Sequence, residues 1–190
     1  MHNITFLGDI EHIKQNVFQN CKSLRSFVLP EKITSISNYL FNLCTNLSSV
    51  TFLGNITSIG VSSFAGCQSL QQFEIQNSTK SILSSAFSNC LLFNSFIFPE
   101  KITFVSSSVL SCCYNLESVT FLGNISKIES CAFSLCKRLN LIEIPENVTV
   151  IESLAFSYCY SINSITIPKG VTRIEEALFL ECINLYSIVI

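Results

Sequence analysis

The chain has 190 residues, of which 48% are hydrophobic and 13% charged, with a formal charge of −2 and only 11 Lys and Arg. So weak a basic content gives no field to hold nucleic acid, and no apolar run approaches the roughly 18 residues that a membrane helix needs. The mean hydropathy of +0.48 therefore implies a large buried core. Met1, His2 and Asn3 lead straight into Ile4 with no basic and apolar leader, so no signal peptide is predicted.

An internal period of 23 organises the whole chain. Units start at Ile4, Phe27, Val50, Phe73, Phe96, Val119, Ile142 and Ile165, and residues 188–190 open a ninth. Columns 1 and 3 of the unit are apolar throughout, and alternation of that kind predicts a strand. Turn formers follow, among them Pro30-Glu31-Lys32, Leu53-Gly54-Asn55, Pro145-Glu146-Asn147 and Pro168-Lys169-Gly170. Columns 7, 10 and 15 are apolar again, except at Thr79, and the small or aliphatic residues and Phe of columns 11–17 predict a short helical turn. Column 18 is Cys in all eight units, from Cys21 to Cys182, and column 21 is Leu, Phe or Ile. A longer period of 69 also shows: Phe27-Val-Leu-Pro-Glu-Lys-Ile-Thr returns as Phe96-Ile-Phe-Pro-Glu-Lys-Ile-Thr, the mark of a duplicated three-unit block.

One unit cannot bury enough surface to fold alone, so the units must stack. The pattern predicts a leucine-rich repeat solenoid: a right-handed coil of eight β-turn-helical-turn units, with a parallel sheet on its concave side, forming a single domain over residues 1–190. Neither end shows a capping sequence. A fragment of a longer array is expected, and with it end-to-end association or aggregation of the isolated chain.

Residues with chemical potential are read as structural. Cys112 and Cys131 alone lie outside column 18. Column-18 neighbours on stacked coils fall within disulfide reach, but parallel side chains point the same way, so packed free thiols are expected. No Cys-x-x-Cys suggests zinc, and the histidines, His2 and His12, sit in the first unit, away from a nucleophilic role. Glu129, Glu152 and Glu175 share column 11, with Lys127 and Arg173 two columns earlier; charge pairing on a solvated face is expected over a calcium site. Sequons at Asn3, Asn46, Asn55, Asn77, Asn124 and Asn147 arise largely from the turn consensus. No catalytic residue, metal site or cofactor is predicted, and the chain reads as a non-enzyme.

Two stretches carry a family resemblance: Ile142-Glu-Ile-Pro-Glu-Asn-Val-Thr-Val-Ile-Glu-Ser-Leu-Ala-Phe-Ser-Tyr-Cys159, and Val171-Thr-Arg-Ile followed by Cys182 and Leu185. Their Ile-Pro, Val-Thr-x-Ile, Ala-Phe-x-x-Cys and Leu-x-x-Ile segments resemble the BspA-type leucine-rich repeat over residues 4–190. Unit four, with Gln76-Asn77-Ser78-Thr79, and unit five, with Leu110, depart most and are expected to form looser coils. The resemblance implies a surface antigen-like protein, secreted or at the cell surface, whose repeats mediate adhesion to host, matrix or cell proteins. The absent leader and the free thiols favour the alternative of an intracellular scaffold. Either way the expected partner is a protein, without nucleic acid and without membrane insertion. Column 2 of the strands faces outward, and Thr51, Glu74, Ile97, Thr120, Glu143 and Thr166 are the candidate binding residues.

Overall fold

The computed structural model describes residues 4, 6, 8–71 and 73–190. Strands at columns 23 to 3 form a first sheet face: β1 (Ser26–Leu29), β3 (Ser49–Phe52), β6 (Ser95–Phe98), β8 (Ser118–Phe121), β10 (Leu141–Ile142), β12 (Ser164–Thr166) and β13 (Ser187–Val189). Shorter strands at columns 9 and 10 form a second: β2 (Ser35–Ile36), β4 (Ser58–Ile59), β5 (Ser81–Ile82), β7 (Phe104–Val105), β9 (Lys127–Ile128) and β11 (Val150–Ile151). Every pairing is parallel, and every pair of partners is 23 residues apart, as in Ser26↔Ser49 and Ile128↔Ile151. The repeat period is thus the register of a β-solenoid. Both faces are segmented: the first pairs as β1-β3, β6-β8-β10 and β12-β13, the second as β2-β4-β5 and β7-β9-β11.

Alternation fixes which side chains enter the core. In β1, Phe27 and Leu29 are buried while Val28 between them is exposed, and β6 repeats this with Phe96, Phe98 and Ile97. Columns 7, 10, 14, 15, 18 and 21 complete the same interior, exemplified by Ile125, Ile128, Ala132, Phe133, Cys136 and Leu139, all 0% exposed.

The third wall of the coil departs from expectation. Columns 11–17 form no helix; among the described residues there is none. Instead columns 13 and 17 take positive φ in every unit, from Asn16 and Asn20 to Ala177 and Glu181, and only Gly66 among them is a glycine. The physical reason lies in where the amides point. A helix turns each N–H onto its own chain, whereas residues in this left-handed conformation redirect alternate amides along the stack. In coils one to seven the N–H groups of columns 13, 15 and 17 donate to carbonyls of columns 12, 14 and 16 in the next, as in Tyr39 to Val61 at 2.8 Å, Phe41 to Ser63 at 2.8 Å and Leu43 to Ala65 at 2.7 Å. Left-handed backbone costs about 1–2 kcal/mol per non-glycine residue, and hydrogen bonds between coils offset it.

Column 15 stacks its rings along the axis. Phe18, Phe41, Phe64 and Phe87 follow at 5.7, 5.4 and 5.4 Å between centroids, and Phe133, Phe156 and Phe179 at 5.5 and 5.9 Å. Leu110 interrupts the column without loosening its coil, for Leu110, Phe98 and Val105 are all 0% exposed. The column-1 ring contact of the other coils continues beside it: Phe96 packs on Phe87 at 5.3 Å, as Phe27 does on Phe18 at 4.9 Å and Phe73 on Phe64 at 4.7 Å, while Phe98 stacks on Phe121 at 5.3 Å. Coil four is the looser one: it lacks a first strand among the described residues, and Phe73 and Ile75 are only partly buried. Its departing residues stitch it to coil three, since Gln76 donates to the Gly54 carbonyl at 3.0 Å and accepts the Ile56 N–H at 2.6 Å. The Thr79 hydroxyl, fully buried in an otherwise apolar column, donates to the Ile56 carbonyl at 3.1 Å.

The Cys column has a geometric cause. From Cys44 to Cys182 each thiol donates to the column-15 carbonyl of the preceding coil at 3.0–3.4 Å, beginning with Cys44 on Phe18 and ending with Cys182 on Phe156. Cysteine is a small, largely apolar side chain that still carries a weak donor. All ten cysteines are free thiols. Burial pushes Cys44 and Cys113 up to about 12 and raises Cys67, Cys90 and Cys136 well above the ordinary thiol value.

Titration of the native protein with a thiol reagent at pH 8 is expected to modify Cys21, Cys112 and Cys131, which are half-buried, while the seven buried thiols react only on unfolding. Rapid native modification of all ten would contradict this core. Ser63, fully buried in column 14, holds the one buried side-chain oxygen without a hydrogen-bond partner among the described residues. Coils four, six and seven carry Ala86, Ala132 and Ala155 there, so Ser63→Ala is expected to raise stability by about 1 kcal/mol. A lowered midpoint in urea unfolding would show that the hydroxyl is satisfied.

Candidate protein-binding face

The outward residues of the first sheet sit where strand alternation places them. Thr51, Glu74, Ile97, Thr120, Glu143 and Thr166 are all exposed, Ile97 to 54%. Thr5 and Gln72, other members of the outward columns, lie outside the described residues. Ile97 and Thr120 are direct neighbours across the β6–β8 pair, and Val28 stands beside Thr51 across β1–β3. Glu74 belongs to coil four, where no first strand forms among the described residues, so it stands apart from the rest.

Three of the six candidates come together. Thr120, Glu143 and Thr166 line one trough of about 930 Å³ that crosses coils six, seven and eight. Its walls carry Ser118, Ser164 and Glu146, and Leu141 stands on it with 66% exposure. Hydroxyls, two carboxylates and an exposed aliphatic side chain thus share one concavity. Neither Glu143 nor Glu146 makes an ion pair among the described residues. Leu141 was legible beforehand as an apolar residue in a column otherwise mostly Ser; the trough was not, because it depends on where pairing stops. A second depression of about 400 Å³ crosses the first three coils between Phe6, Val28, Pro30, Lys32 and Leu53.

The column-11 glutamates do something different. Glu152 accepts both the Ser130 N–H and its hydroxyl at 3.0 Å, and Glu129 accepts the Ser107 N–H at 3.0 Å. Each carboxylate therefore caps a main-chain donor of the preceding coil. Lys127 bridges the two at 2.6 Å from Glu152 and 3.5 Å from Glu129, and Arg173 pairs with Glu175 at 3.1 Å. The hydrogen bond between them holds Glu152 below the usual carboxylate range and Lys127 above its own. No three His, Cys, Asp or Glu side chains gather as a metal site among the described residues.

Other polar columns are likewise structural. Asn46, Asn115 and Asn184 donate to the carbonyls of Lys22, Leu91 and Tyr160 in the preceding coil at 2.7–2.8 Å. The sequon residue Asn46 is thus tied into the stack, while Asn55, Asn77, Asn124 and Asn147 are exposed and Asn3 and His2 lie outside the described residues. One feature the sequence reading passed over is a ladder in column 19. Lys137 Nζ lies 4.7 Å from the Tyr114 ring centre and 5.8 Å from that of Tyr160. Its signal was the Tyr-Lys-Tyr recurrence at a spacing of 23.

Comparison with known proteins agrees with this architecture. The family model of the BspA type leucine rich repeat region matches in six copies, over residues 1–116 and 106–190. A leucine-rich cell surface protein of Faecalibacterium prausnitzii is similar along 100% of this chain and 69% of its own, with 25% identity and a TM-score of 0.71. A leucine-rich repeat protein of Bacteroides ovatus shares the fold at 22% identity and a TM-score of 0.70, over 98% of this chain and 62% of its own. The leucine-rich repeat protein of T. pallidum aligns at 25% identity and a TM-score of 0.58, over 86% and 68%. This chain therefore spans about two thirds of the length of these solved structures, and less than that of the Bacteroides protein. No curated protein matches. With a parallel solenoid of period 23 and family repeats matched from end to end, the chain belongs to the BspA-type leucine-rich repeat family.

Proposed function

We propose that the protein is a non-enzymatic scaffold that binds a protein partner on the outward face of the first sheet, at the trough across coils six to eight. The observation that carries this reading is the convergence of Thr120, Glu143 and Thr166 around the exposed Leu141. An aliphatic contact ringed by unpaired polar groups has the composition of a protein-recognition surface. The similar Faecalibacterium protein is described as a cell surface protein, which supports adhesion at the cell surface. The free thiols favour a second reading, an intracellular interaction scaffold, because free cysteines persist in reducing compartments. Protease accessibility on intact cells separates the two: digestion of the protein there excludes the intracellular reading.

The apolar end of the array supports a further contact within this proposal. Ile183, Tyr186 and Ile190 are 69%, 82% and 75% exposed on the last turns, which suits stacking of a second copy.

Capture of host-surface and matrix proteins by the immobilised chain is expected to fall at least about tenfold for Thr120→Arg, whose long side chain fills the trough, and to persist for Thr51→Arg. Equal capture by wild type and Thr120→Arg would place the binding site elsewhere. Sedimentation of the isolated chain is expected to show association that grows with concentration; a monomer at all concentrations would remove the end-to-end contact.

A further inference from the structure

The interfaces between coils are not equivalent. Between coils five and six both sheet faces are paired, β6 with β8 and β7 with β9. Between coils seven and eight neither is: β10 does not pair with β12, and β11, paired with β9, has no partner strand in coil eight. The same double interruption falls between coils four and five among the described residues, where β5 does not pair with β7. Coils two to four and five to seven are therefore three-coil blocks.

A chemical cause recurs with the block. Where the first sheet is fully paired, the column-4 N–H of the later coil donates to the column-3 carbonyl of the earlier, Leu53 to Leu29 at 3.1 Å and Leu122 to Phe98 at 2.9 Å. In coils two, five and eight that residue is Pro30, Pro99 or Pro168, each 69 residues from the next, and in coil seven it is Pro145, where pairing with β8 shrinks to Leu141 and Ile142; proline has no N–H to give. The turns differ in shape as well. A Cβ on Gly54 or Gly123 would lie 2.0 or 2.3 Å from the carbonyl oxygen of Glu31 or Glu100, so the Leu-Gly-Asn turn presses on its neighbour as closely as a backbone allows. On the second face, the Ser37 and Ser106 hydroxyls, also 69 residues apart, bond the carbonyls of Ile13 and Ile82 across the interfaces that precede Pro30 and Pro99.

What continues across the seam between coils seven and eight is the turn wall and the segment that follows it, where Asn184 donates to the Tyr160 carbonyl at 2.7 Å and the Tyr186 N–H to the Asn163 carbonyl at 3.0 Å. Leu154, Phe156 and Tyr158 donate to Glu176, Leu178 and Leu180 at 3.3, 3.2 and 2.7 Å, and the Cys182 thiol bonds the Phe156 carbonyl. One wall is thus tied while two faces are not, which is the construction of a hinge. We propose that the array flexes at proline-marked seams every third coil, with the turn wall as the axis, and that the seam between coils seven and eight is the first to open. The trough lies over this seam, so its width follows the hinge angle if the partner binds there.

The test needs no ligand. Successive strand amides face opposite neighbours. Ile167 donates to Val189 at 2.7 Å, so the amides of Ser164 and Thr166 face coil seven, where pairing is absent. Their counterparts Ser118 and Thr120 face coil five, with which β8 is paired along its full length. Native-state hydrogen exchange followed by NMR is expected to find Ser164 and Thr166 exchanging at least about a hundredfold faster than Ser118 and Thr120. Equal protection at the two pairs of amides overturns the hinge. In a variant carrying Pro168→Leu, Lys169→Gly and Gly170→Asn, the seam amides are expected to slow toward the Ser118 and Thr120 rates, those two reporting that the fold is intact. Unchanged seam exchange in that variant overturns the assignment of the hinge to proline.

Discussion

Every coil in this molecule passes main-chain hydrogen bonds to the next, and the turn wall is where that constraint is most demanding. Two residues per coil accept left-handed backbone so that three amides point along the stack. Nothing within a single coil compensates for that conformation. Secondary structure here is therefore a property of neighbours, and the remaining features follow: stacked Phe rings, thiols seated on carbonyls of the coil before, and Asn side chains reaching back one coil.

The sequence exposed the part of this that depends on periodicity. Columns 1, 3, 7, 10, 15, 18 and 21 name the interior almost residue by residue, because stacking converts an identical spacing into an identical environment. The wall of columns 11–17 was illegible for a definable reason. Asn16, Tyr39, Leu43, Cys112 and Leu154 share no chemistry that announces positive φ, and glycine, the usual marker, occurs there once, at Gly66. Local propensity favoured a helical turn, and the need to bond the next coil overrode it. Leu110 shows the converse, a departure from the consensus that leaves Leu110 itself, Phe98 and Val105 fully buried.

The candidate site was half legible. Alternation placed Thr120, Glu143 and Thr166 on the outside correctly, but their meeting in a trough depends on the end of strand β10 at Ile142 and the lack of pairing beyond it. Column assignments treat all coils as alike. The trough proposed for binding lies where they are not, at a three-coil rhythm that the echo of Phe27–Thr34 in Phe96–Thr103 had already hinted at in the chain.

The thiol column also bears on how the protein ages. While the coils remain stacked, seven sulfurs are shielded by access alone, with burial suppressing the thiolate that oxidants attack. Once the stack parts in air, the same sulfurs lie evenly along a loose chain, free to cross-link in any pairing, and a sulfinate or a bridge no longer fits beneath the carbonyl it left. Unfolding then becomes a one-way event, and the working lifetime of the molecule is set by how seldom it opens and less by how favourable its folded state is.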